Sequence, residues 1–190
     1  MKAFEIRESI PIAHEVDVLV VGGGPAGVAA GLSAARLGAK TLVVEQFNCL
    51  GGISTAGGHA HICLYSDWGS TRRVVGGAPF ETAERTVEAG FGAYHRGNLD
   101  FEIEGMKLLL DRMAEEAKLK VLYHTFFCDV IVEEGEIRAA ILQNKDGRTA
   151  VTPKMVIDCT GDGDVATRSG CDYDQGEEGT GLCQPMTLMF

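Results

Sequence analysis

The order of apolar and polar positions divides the chain into recognisable pieces. "EVDVLVVGGG" carries an unbroken, β-branched run at Val16 to Val21 that predicts a buried parallel strand. The Ala-rich stretch from Ala26 to Leu37 predicts a helix that Gly38 stops, and "KTLVVE" predicts a second strand. Together these make one βαβ unit. Residues 47–77 are glycine-dense and aperiodic, which predicts a long loop. Phe80, Ala83 and Val87 keep helical spacing up to Gly90. Met106, Leu109, Leu110, Met113 and Ala117 form the clearest helical stripe, with Asp100 placed to cap it.

Four short apolar runs follow: "VLYH", "FFCDVIVE", "EIRAAILQ" and "RTAVTP". The turns "EG" and "KDG" predict a parallel strand followed by an antiparallel meander. "KMVIDC" then returns as another buried strand and stops in "TGDGD". The tail ends in "PMTLMF", which reads as the beginning of a further strand, so the chain is expected to be the front part of something larger.

Composition narrows the classes. Hydrophobic content of 45% and charged content of 23% are those of a globular protein. A net charge of −10 speaks against nucleic acid as a partner. No run is long enough for a membrane span, and the charged N-terminus lacks the apolar core of a secretory signal. Six scattered cysteines without a CxxC pair are expected as free thiols in a reducing cytoplasm. His59, His61 and Cys63 alternate along a loop, and no metal site is expected there.

The first glycine turn carries chemistry. Gly22-x-Gly24-x-x-Gly27 follows a strand and opens a helix, the context that a dinucleotide fingerprint requires. Glycine at 22 permits the tight turn, glycine at 24 admits a pyrophosphate to the backbone, and glycine at 27 lets helix pack on strand. The helix N-terminus offers unpaired N–H groups to the anion. Glu45 ends the next strand about twenty residues on, where a carboxylate accepts ribose hydroxyls. NAD and FAD both satisfy this pattern.

The second turn separates them. An NAD domain continues in βαβ units, whereas here a loop, two helices and a meander precede the strand that ends at Cys159. That organisation resembles the FAD-binding domain of glutathione-reductase-like flavoproteins. More narrowly, "VIDCTGDGDVATRSG", "GTGLCQPMTLMF" and the "LGGISTAG" stretch resemble a bacterial family of FAD-dependent oxidoreductases. The likeness implies an α/β fold: a Rossmann-like FAD-binding domain with a central parallel sheet and a meander, incomplete at the C-terminus. Residues 1–58 and 100–166 would form that domain. Residues 59–99 would be an insertion near flavin or substrate, and 167–190 the start of a truncated substrate domain.

By position, the resemblance places Gly22, Gly24, Pro25, Ala26 and Gly27 on the pyrophosphate, and Glu45 with Gln46 on the adenosine ribose. Gly51, Gly52, Ser54 and Thr55 would lie along the phosphate and flavin side. The backbone of Phe127 would meet the adenine edge, and Thr160, Gly161 and Asp162 would reach back to the same cofactor. For Asp162 and Asp164, capping of the following helix is an equal alternative.

The flavin would supply the redox chemistry. No cysteine pair follows Gly51-Gly52, so dithiol exchange is not expected, and Cys49 reads as a buried structural thiol. The loop from Ser54 to Trp68 would face flavin or a small-molecule substrate. His59 and His61 are its acid–base candidates, Arg72 and Arg73 could hold a carboxylate, and Tyr65 and Trp68 could stack on a ring. The flavin's ribityl end would need a further segment or a second chain. The expectation is an oxidoreductase; the alternatives are a non-catalytic flavin-binding subunit or gene fragment that needs a partner chain, and an NAD-dependent dehydrogenase.

Overall fold

In this computed structural model the described residues are 4–5, 7–63 and 72–188. Strand β1 (Ile12–Val21), helix α1 (Pro25–Arg36) and strand β2 (Thr41–Val44) form the expected βαβ unit. β1 pairs in parallel with β2 on one side and with β9 (Gly147–Asp158) on the other. Strand β6 (Lys120–Leu122) extends the parallel part beside β2. β7 (Phe126–Glu133) and β8 (Glu136–Asn144) complete a six-stranded sheet of order β6-β2-β1-β9-β8-β7.

The unbroken apolar runs reflect burial on both faces of this sheet. Val20 and Val43 point into a cluster with Leu32, Met106, Leu110 and Met113, which come from α1 and from α3 (Ile103–Glu116). Leu19, Val21, Leu42 and Val44 point the other way, onto Ala140, Leu142, Val151 and Val165. The meander thus covers the second face, and Val165 arrives on the short helix α4 (Asp164–Arg168). Residues 171–188 carry no helix or strand and are exposed.

Two sequence expectations change. "RTAVTP" and "KMVIDC" are one continuous strand, β9, which is antiparallel to β8 at its start and parallel to β1 along its length. Pro153 is tolerated because it lies beyond Val151, where the pairing of β9 with β8 has ended and only the β1 flank of β9 is paired. Asp100 does not cap α3, whose N-cap is Glu102. It stands instead in β5 (Asn98–Phe101), part of a small sheet of order β3-β5-β4. Here β3 is His61–Ile62 and β4 is Gly92–His95.

The β4–β5 hairpin turns through Arg96 and Gly97, both at positive φ. An Arg-Gly pair lacks the Asn-Gly signature by which such a turn is read from sequence. Helix α2 (Gly77–Glu88) matches its expected apolar spacing and packs on α3, with Ala83 fully buried between them.

Candidate functional site

Four parallel strands finish on one line. Val21 is in register with Val44 on one side and Asp158 on the other, and Val44 is in register with Leu122. The loops that leave these strands therefore emerge at the same carboxyl edge, where open α/β sheets bind ligands. They are tied together there: Gly22 N–H donates to Val44 O at 2.9 Å, and Cys159 N–H donates to Val21 O at 2.8 Å. Gly51 N–H donates to Gly23 O at 2.8 Å, bringing the Gly51-Gly52 turn onto the first glycine turn.

The first turn has two kinds of glycine. A Cβ on Gly27 would stand 1.8 Å from Gly22 O, so the helix can approach the strand only without one. A Cβ on Gly24 would meet nothing nearer than Gly52 Cα at 4.0 Å. Gly24 therefore leaves open space rather than filling a packed contact, as a position that admits a ligand to the backbone must. Glu45 is buried, 5% exposed, and accepts Gly23 N–H at 2.7 Å and Phe47 N–H at 2.8 Å. A carboxylate has about four acceptor sites, so two remain.

These loops line a cleft of about 660 Å³. Gly22, Gly24, Pro25 and Ala26 line it from the first turn and the start of α1, and Glu45, Gln46 and Gly52 from the loop that follows β2. Phe127 enters from β7, and Thr160, Gly161 and Asp162 from the second turn. The two distant glycine turns thus face one space. Among its described lining residues the only charged side chains are Glu45, Asp162 and Asp164, with no Lys or Arg. An anion held here meets main-chain N–H groups and the α1 N-terminus, not side-chain cations.

The second turn is shaped by a residue the sequence reading passed over. Asp158 Oδ1 accepts both the Thr160 N–H, at 3.0 Å, and the Thr160 hydroxyl, at 2.7 Å. Its Oδ2 accepts Ala166 N–H at 3.0 Å inside α4. Burial alone would raise the Asp158 carboxyl, but the bonds from Ala166, Thr160 and Val165 outweigh it and hold the group below its ordinary value. Thr160 Oγ1 in turn accepts Asp164 N–H at 2.8 Å. Capping therefore falls to Asp158 and Thr160, while the N-cap position is Gly163, without a side-chain bond. The Asp-x-Thr spacing before a helix is an Asx-turn signal that could have revealed it.

Beside the cleft lies a second cavity of about 380 Å³, sharing Pro25 and Ile53 with it. Gly51 and Ser54 line this smaller space, with His59, His61, Met106 and Leu110. Thr55 lines neither; it is buried, and its hydroxyl donates to Leu50 O at 2.6 Å. His61 Nδ1 is hydrogen-bonded to Asp100 Oδ1, and the His59 and His61 rings lie 6.2 Å apart, edge to face. Cys49 is buried and its thiol lies 3.7 Å from Thr55 Oγ1, matching the structural reading. Arg73 stacks on the Phe80 ring at 4.2 Å. Tyr65 and Trp68 lie outside the described residues.

An α/β sheet whose carboxyl edge borders a cleft of about 660 Å³, with no Lys or Arg among the described lining residues, has the Rossmann-like architecture of FAD-binding domains. The chain belongs to the FAD dependent oxidoreductase family, whose sequence pattern matches residues 17–190, and its cofactor is FAD. It is 31% identical over 180 residues to thiamine thiazole synthase from Methanococcus aeolicus, covering 90% of this chain and 63% of that protein. The fold is that of a geranylgeranyl bacteriochlorophyll reductase-like protein from Thermoplasma acidophilum. The TM-score is 0.61 at 22% identity, over 83% of this chain and 42% of the other. THI4 from Thermovibrio ammonificans gives 0.57 at 22% identity, over 81% and 61%. The chain spans somewhat under two thirds of the length of the thiamine thiazole synthases it matches.

Proposed function

We propose that this chain carries the dinucleotide-binding half of an FAD-dependent oxidoreductase that acts on a small molecule, with the flavin directed toward the smaller cavity. The observation that carries the reading is the convergence of both glycine turns and Glu45 on one cleft. The open face of Gly24 and the absence of Lys and Arg from the described lining suit a diphosphate held by backbone amides.

In this assignment Gly22, Gly24, Pro25, Ala26 and Gly27 form the pyrophosphate turn, and Glu45 and Gln46 receive the ribose. Phe127 borders the adenine, and Thr160, Gly161 and Asp162 close the cleft from the opposite side. Gly51, Gly52 and Ser54 lie where the two cavities meet, and Thr55 holds that turn from within. Bound FAD supplies hydride or electron exchange. His59 and His61 hold or release the accompanying proton at the smaller cavity. The glutathione-reductase-like arrangement is favoured because the β7–β8–β9 meander replaces a crossover helix and returns β9 beside β1.

A further segment or a second chain completes the flavin's far end in this reading, in accord with the partial coverage of the relatives. The free cysteines among the described residues suit a cytoplasmic setting. No described helix is long and apolar enough to cross a membrane.

Purified protein is expected to be yellow and to release FAD on heating. Colourless protein that retains NAD under the same conditions would overturn the assignment. A second reading, thiamine thiazole synthase, is favoured by the 31% identity over 90% of the chain. Formation of the thiazole product by the purified protein would decide for it.

A further inference from the structure

The smaller cavity is lined mainly by apolar groups: Pro25 and Val28 from α1, Ile53 from the glycine turn, Ile62 from β3, and Met106 and Leu110 from α3. Its titratable lining side chains among the described residues are His59, His61 and Cys63. One of them has a fixed partner. His61 and Asp100 are directly opposed in the antiparallel β3–β5 pair, so backbone register brings imidazole and carboxylate together. Asp100 itself is not part of the lining. It occupies Nδ1 from behind, which leaves Nε2 as the ring's free acceptor.

A carboxylate on one imidazole nitrogen selects the tautomer that carries its proton there. In water a free imidazole favours the opposite tautomer, with the proton on Nε2. An apolar chamber of about 380 Å³ falls in the size range of small-ligand sites, where a few polar groups set orientation. A ligand suited to this one is compact and largely apolar, and it donates a single O–H to an imidazole acceptor.

We infer that the smaller cavity binds a small ring or chain bearing one acidic hydroxyl, a phenol or an enol, and that Asp100 is the positioning residue that keeps His61 Nε2 ready to accept its proton. The inference deepens the acid–base role given to His61 above and rests on that reading. The proton moves from the ligand oxygen to Nε2, and Asp100 compensates the resulting imidazolium charge.

Long-range proton–nitrogen correlation spectra of the ¹⁵N-labelled full chain, with neutral imidazoles, report the tautomer directly. His61 is expected as the Nδ1–H form in the parent and in Asp100→Glu, and as the Nε2–H form in Asp100→Val. 4-Fluorophenol, followed by its ¹⁹F signal, is expected to perturb His61 and to bind roughly tenfold more tightly than fluorobenzene, the margin of one good hydrogen bond. Asp100→Val should abolish that margin while leaving fluorobenzene binding unchanged. Should Asp100→Val fail to fold, His61→Leu provides the second variant, which removes the acceptor altogether, with the same loss of hydroxyl preference expected.

An Nε2–H tautomer in the parent would overturn the inference, as would an unchanged tautomer in Asp100→Val or equal binding of the two fluoroarenes. Flavin absorbance of the same samples tests the cofactor reading separately. Colourless protein overturns that reading, whereas yellow protein with Nε2–H on His61 overturns this one.

Discussion

Glu45 reaches from the end of β2 to the turn that follows β1, and its Oε2 accepts the Gly23 N–H at 2.7 Å. The same carboxylate accepts Phe47 N–H through Oε1, so one buried acid shapes both loops before any ligand arrives. A residue assigned to the ribose is also a structural clamp.

Replacing Glu45 by Ala should therefore act twice. Two charge-assisted bonds are lost and two loop donors are left without them, at a cost of about 2–4 kcal/mol. The urea midpoint should fall without a change in slope, and FAD retention should fall with it. Lost flavin with an unchanged midpoint would remove the clamp; a lowered midpoint with full flavin retention would remove the ribose role.

The glycines of the first turn separate fold from ligand. Gly27→Ala places a methyl group 1.8 Å from Gly22 O and should prevent α1 from seating on β1. Gly24→Ala meets nothing within 4 Å apart from Gly52 Cα, and its φ of −67° is ordinary for alanine. That variant should keep the parent circular dichroism and lose bound flavin, measured by absorbance after gel filtration. Flavin retained at the parent level would show that the pyrophosphate does not pass Gly24.

Where a local pattern coincided with a local cause, the chain was legible. The Val16–Val21 run announced a strand buried on both faces, and GxGxxG announced the turn at its end. The second turn was legible for the same reason, because "TGDGD" interrupts an apolar run. Partnerships across the fold were not. Pro153 looked like the end of a strand, because nothing local shows that the ladder between β9 and β8 has already stopped at Val151. Asp100 suited a cap by its position before an apolar stripe, yet its partner, His61, lies on another strand. Asp158 was visible as an Asx-turn but was overshadowed by the more conspicuous Asp162 and Asp164.

The walls of the smaller cavity should owe their stability to packing rather than to the ion pairs that bridge the helices. Glu81 on α2 accepts Arg36 of α1 at 2.7 Å, but both side chains are about a third exposed. Glu81→Gln should cost less than about 1 kcal/mol, and less again in high salt. Met113 is fully buried between α3 and its neighbours, so Met113→Ala should cost about 2–5 kcal/mol. Denaturation midpoints of the two variants check the order. A larger loss for Glu81→Gln would make the ion pairs the main tie between α1 and α2.

Asp158 predicts how the second turn responds to acid. Its native carboxyl titrates below the ordinary carboxylate range, since bonds from Ala166, Thr160 and Val165 outweigh its burial. In the unfolded chain the same group titrates at about 3.9. A group whose native value is depressed contributes its full stability above the unfolded value and loses it as pH falls through the native one. The contribution is therefore complete at neutral pH and decays below about pH 4. Asp158→Asn should lower stability at pH 7 by about 1–2 kcal/mol, the scale of a weakened cap. The gap from the parent should close as the pH falls toward about 3 and below, because protonation deprives the parent of the same charge. Since Asp158 holds Thr160 against the cleft, flavin affinity should follow the same course, read by fluorescence of released FAD. A stability gap that stays constant from pH 7 through acid would show that the charge of Asp158 does not hold the turn.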